Sequence, residues 1–158
     1  MKRVICAILA LMMVLAMAAC GSGKDSGKEG AGDTMSLQEI VDAVQKDVPD
    51  LPDVMSQELT DDIFEYFAFA KPREGVEGIA SDALVNATAH SVVVLRAADE
   101  ETAKSLAEEV DANKDPRKWI CVEAEKSIVK VHGSTVLLVM SSEQIADAVA
   151  ANFDALWE

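Results

Sequence analysis

Apolar residues return along this chain with two different periods. Leu37, Ile40, Val41 and Val44 fall three or four apart, which predicts an amphipathic helix over 36–47. Ser36 and Glu39 have the spacing of a capping box, and Pro49 closes the helix. Thr60 reads as the N-cap of a second helix, with Asp61 and Asp62 complementing the helix dipole and Ile63, Phe64, Tyr66 and Phe67 on its body. Asp99 opens a third, whose Ala103, Leu106, Ala107 and Val110 share one face. Asp115-Pro116 starts a short one carrying Trp119, Ile120 and Val122. Ser141 and Gln144 repeat the capping-box spacing before a terminal helix of about 15 residues, faced by Ile145, Val149, Phe153 and Leu156.

Strand signals fill the gaps between these helices. Ala83-Leu84-Val85 and Ser91-Val92-Val93-Val94-Leu95 read as two strands, the second a continuous apolar run suited to a central position. Ile128–Val131 and Val136–Val139 flank a turn at His132-Gly133-Ser134, the clearest hairpin in the chain. Lys71–Gly78 reads as a turn region. Two hairpins joined by helical segments predict an α+β fold: an antiparallel sheet of about four strands with its helices packed on one face.

The stretch from Asp47 to Val54 has a period of three, and its prolines favour extended backbone at Val48 and Leu51. Val48, Leu51 and Val54 are expected against the core. Asp47, Asp50 and Asp53 invite a calcium site, but residues three apart on a polyproline-like rod are separated by about 9 Å. Calcium needs its oxygens at about 2.3–2.6 Å. No metal site is expected here.

The first twenty residues carry an address. Lys2 and Arg3 precede an uncharged run from Val4 to Met17 that ends in Ala18-Ala19-Cys20. A basic start, a short apolar middle and small residues at the end make a secretory signal. The run falls short of the about 20 apolar residues that a membrane-crossing helix needs. An ordinary peptidase site is the other alternative, and Cys20 is what argues against it. Leu15-Ala16-Met17-Ala18-Ala19-Cys20 resembles the lipobox of bacterial lipoprotein precursors, with Met17 where leucine is usual. The resemblance implies cleavage between Ala19 and Cys20 by lipoprotein-processing enzymes and a diacylglyceryl thioether on Cys20. Two acyl chains anchor stably where one does not, so the domain is expected on the extracytoplasmic face of the cell membrane.

Residues 1–19 are thus read as signal, 20–35 as lipidated cysteine and glycine-rich linker, and 36–158 as one domain. Gly21–Met35 has five glycines and no aliphatic run to bury, so a flexible tether is expected. Removing the signal leaves 12 basic against 28 acidic side chains, a formal −16. Such charge argues against nucleic acid as a partner and against docking on anionic lipid heads. Cys6 leaves with the signal and Cys20 takes the lipid, so Cys121 is the remaining thiol and no internal disulfide forms.

Candidate chemistry is sparse. Four of the seven aromatic residues lie between Phe64 and Phe69. Phe64, Tyr66, Phe67 and Phe69 form either a groove wall or, as large aromatics usually do, the thick part of the core. Cys121 with His90 or His132 is the possible thiol and base set, yet Trp119-Ile120-Cys121-Val122 is apolar and predicts a buried, unreactive cysteine. There is no Walker loop, G-x-S-x-G elbow, H-E-x-x-H or paired C-x-x-C. No cofactor is expected. The lipoprotein signal, the Leu37–Val41 helix, the Ala83–Asn86 strand and the closing hairpin with its terminal helix resemble the uncharacterised domain of unknown function 4358 family of Gram-positive lipoproteins. That resemblance brings no activity or catalytic residue. The expectation is an anchored, non-catalytic module that binds an unknown envelope protein or ligand. A small envelope enzyme using Cys121, or a solute-binding accessory, is the alternative.

Overall fold

The computed structural model describes residues 30–158. In chain order it runs α1 (Leu37–Gln45), β1 (Val54–Glu58), α2 (Asp61–Ala68), β2 (Glu77–Ala83), β3 (Ser91–Arg96), α3 (Glu100–Asn113), β4 (Lys126–His132), β5 (Thr135–Ser141) and α4 (Glu143–Ala155). The strands form one sheet in the order β1-β2-β3-β5-β4, every neighbouring pair antiparallel. The α+β class with an antiparallel sheet is as expected, with five strands in place of about four. The signal, Ala19, Cys20 and the linker as far as Glu29 lie outside the described residues. Among the described residues no helix is long and apolar enough to cross a membrane.

The expected packing of helices on one face is wrong, and β3 and β5 show why. Every residue of β5 is buried, and so are Ser91–Leu95 of β3. A strand buried on both sides needs a covering layer on both sides. Val93, Leu95, Val136, Leu138 and Met140 point into a core closed by α2 and α3. Val92, Val94, Leu137 and Val139 point the other way, into a second core closed by α1 and α4. The domain is therefore a three-layer sandwich.

Local signals account for the element ends. At α1 the Ser36 hydroxyl accepts from Glu39 N–H (3.3 Å), while the Glu39 carboxylate accepts from Ser36 N–H (2.7 Å), a complete capping box. Asp99 accepts from Thr102 N–H at 2.7 Å and starts α3. Gly133 adopts φ +53° at the first loop position of the β4–β5 hairpin, the backbone that a twist-matched two-residue turn requires. At α4 the N-cap is Ser142, one residue beyond the expected Ser141, because Ser141 ends β5 facing inward.

Further expectations are corrected. The stretch after α1 is no polyproline rod: Asp47 and Asp50 both sit at φ +56°, left-handed turns that a short polar side chain tolerates. Val48 and Leu51 still pack on the α1–α4 core, whereas Val54 is a half-buried residue of β1. Strand β2 begins at Glu77, inside the expected turn region, and Leu84 and Val85 stand exposed in the loop after it. Residues 115–122 form turns instead of a helix. The Asp115 carboxylate accepts from Arg117 N–H (2.9 Å), and Pro116 O accepts from Ala124 N–H (2.9 Å), which takes up the carbonyl that a helix would offer to the fourth residue on. Lys118 and Trp119 turn inward while Ile120 and Cys121 face solvent.

Gly30–Met35, expected in the flexible linker, is fixed to the domain. A 3-10 turn at Ala31–Asp33 lies against the C-terminus, with Gly32 N–H donating to Leu156 O (3.1 Å) and Trp157 Nε1–H to Asp33 Oδ1 (2.9 Å). Arg96 donates to the carbonyls of Met35 (2.8 Å) and Gly32 (2.9 Å). Trp157 in turn stacks on His132 at 5.0 Å between ring centroids.

Candidate functional site

The expected aromatic cluster divides between core and surface. Phe64 and Phe67 are buried in the α2–α3 core, and Phe69 packs half-buried against it with its backbone at φ +55°, the left-handed cap of α2. Tyr66 is exposed. The four side chains do not line a common groove.

Cys121 is exposed, which overturns its expected burial. Neither histidine is a free base beside it. His132 Nε2 is 3.0 Å from Asp154 Oδ1, on the hairpin. His90 is fully buried, and both of its ring nitrogens are engaged by Gln45 and Ser141.

Those engagements belong to a polar network that sequence reasoning missed. With the Gln45 amide oriented as in the structure, its Nε2 donates to His90 Nε2 at 3.1 Å, and its Oε1 accepts from the Ser81 hydroxyl at 3.1 Å. His90 Nδ1 then carries the proton and donates to Ser141 Oγ at 3.0 Å. Burial pushes the His90 imidazole down to about 4, with Asp82 opposing and Lys118 adding to the shift. The ring is neutral near pH 7. A donor His90 cannot take the Ser141 proton, and Ser141 itself is 1% exposed. The pair is built to close a core.

The opposite face of the same sheet end holds a second network. Asp82 and Ser91 are register partners on β2 and β3. Lys118 Nζ lies 2.9 Å from Asp82 Oδ2 and donates to Ser91 Oγ at 2.9 Å, with 3% of its side chain exposed. Phe67, Trp119 and Tyr66 surround the ammonium at 4.9, 5.0 and 5.7 Å from their centroids, an arrangement in which ring quadrupoles stabilise a desolvated cation. Burial depresses the Lys118 ammonium and Asp82 opposes it. The members are three serines, a glutamine, a histidine, an aspartate and a lysine from separate stretches of the chain. Only the sheet register brings them together.

One accessible feature is the outer edge of β1, one of the two edge strands of the sheet. Leu84 N–H donates to Asp53 O (2.9 Å) and Leu59 N–H to Gly78 O (2.8 Å). Antiparallel pairing alternates, so Asp53, Met55, Gln57 and Leu59 turn their backbone groups to β2, and Val54, Ser56 and Glu58 turn theirs outward. β1 is the last strand on its side of the sheet. On the α1 side its floor opens into a groove of about 710 Å³, lined by Leu37, Gln38, Ser56, Glu58, Glu77 and Arg96 among others. Exposed Met55 lies on the other side.

Fold and site together define a three-layer α+β domain with buried polar networks and a sheet whose edge strands are β1 and β4. No family model, curated protein or solved structure matches the chain.

Proposed function

We propose that this protein is a lipid-anchored extracytoplasmic lipoprotein whose domain is a non-catalytic binding module, with the outer edge of β1 as its binding surface. The observation that carries the reading is the row of outward backbone groups on Val54, Ser56 and Glu58 beside an open groove. An uncovered edge is a ready template for another chain. The polar clusters that resemble catalytic sets are buried and saturated, whereas this edge is open.

The address supports the same reading. If Cys20 carries the lipid, the ten residues Cys20–Glu29 separate it from the docked strap at Gly30, a reach of at most roughly 35 Å. The strap is held by Arg96, at one end of β3. Leu84, Val85 and Ile120 are exposed toward the other end, about 17 Å further along the strand direction. The tether would then join the domain at the Arg96 end of the sheet.

A photoreactive residue placed at position 55 in the exporting bacterium tests the binding surface. The expected result is a discrete adduct that disappears when Ser56→Pro blocks the edge. The same adducts from a control position at Glu108, on the exposed side of α3, contradict it.

A further inference from the structure

Resting on that reading of the β1 edge, we infer that its occupant is an extended peptide segment of alternating cationic and apolar residues, which adds to the sheet as a sixth strand beside β1.

The backbone sets the mode. Val54, Ser56 and Glu58 present outward N–H and C=O groups at every second residue, the pattern that an incoming strand pairs with. Side-chain alternation then gives the incoming strand two unlike neighbours. On the α1 side it meets the groove, where Glu58 and Glu77 offer carboxylates, the one cation among the described lining residues, Arg96, is held by the Met35 and Gly32 carbonyls, and the Gln38 amide bridges Asp42 (2.7 Å) and Ser56 (3.4 Å). On the other side it meets Met55, 59% exposed. Asp82, the register partner of Met55, binds Lys118, whose ammonium sits under Tyr66. Tyr66, Leu84, Val85 and Ile120 are the other large exposed apolar side chains among the described residues.

Charge selects the occupant. From Asp47 to Ala70 the chain carries seven acidic residues and no basic one. All seven are exposed, and among the described residues none joins an ion pair. A cationic segment gains from this field. A second copy of the chain pairing β1 with β1 would set two such acidic segments against each other, and an anionic lipid surface would be repelled.

The test uses the full mature protein in detergent and a synthetic peptide alternating lysine with valine, about as long as an ordinary strand. Its glutamate–valine counterpart and a lysine–valine form N-methylated on one edge are the controls. The expected result is binding about tenfold or more tighter than either control, weakened by salt and by Glu58→Lys with Glu77→Lys. Hydrogen exchange at Val54, Ser56 and Glu58 should slow on binding. Equal binding of the N-methylated peptide, or no protection in β1, overturns strand addition. A dimer that Ser56→Pro dissociates would make a second copy the occupant and overturn the inference too. If the peptides fail while the position-55 adduct persists, the binding reading stands and this inference alone falls. Loss of both removes the reading itself.

Discussion

His90 shows how a single residue ties this fold to pH. Folded, its imidazole titrates at about 4; unfolded, near 6.5. Between those values the unfolded chain binds the extra proton, so stability is complete above pH 6.5 and falls as the pH drops toward 4. From pH 7 to pH 5 the loss from this one group is about 2 kcal/mol. Urea unfolding at pH 7, 6 and 5 measures it, and His90→Gln should flatten that part of the profile. An equal slope in both chains would mean that the imidazole does not stay neutral when folded. Nothing local in Ala89-His90-Ser91 announces this role. Sequence reading placed His90 beside a central strand but could not place Gln45 or Ser141 on it, since those contacts span 45 and 51 residues. Cys121 failed for the converse reason: its neighbours are apolar, yet the turn that buries Trp119 leaves Ile120 and Cys121 outside.

The elements that were legible carry their own local rule. The Ser36–Glu39 capping box, the Asp99 cap and the Gly133 hairpin each need only a few adjacent residues, and each stands where expected. Strand β1 lacked such a mark, because Val54-Met55-Ser56-Gln57-Glu58 has little apolar alternation and owes its conformation to pairing with β2. Covering layers on both faces were implicit in the unbroken apolar runs of β3 and β5, which one layer of helices cannot bury. The strap at Gly30–Asp33 was hidden by its glycines, which read as linker but allow close approach. A Cβ on Gly32 would run into the Trp157 indole. Gly32→Ala is therefore expected to displace Trp157 from His132 and Asp33, costing about 1–3 kcal/mol. Tryptophan fluorescence should shift toward the solvated indole, and amide exchange at Gly32 should speed up. Unchanged fluorescence and exchange would mean that the strap does not depend on this contact.

At the scale of the whole molecule, negative charge, the lipobox-like signal and the docked strap fit one arrangement. On the proposed anchored arrangement, the strap sets where a tether from Cys20 would meet the domain, and anionic lipid would repel the acidic β1 side. All of this depends on the address encoded in residues 1–20. The direct measurement is the intact mass and detergent partitioning of the protein from a bacterial host, beside Cys20→Ser. The wild-type protein should yield a mature chain that begins at Cys20, carries a diacylglyceryl group and stays with membranes, and Cys20→Ser a chain without lipid that is lost from them. An unlipidated, released wild-type chain would contradict the proposed anchor.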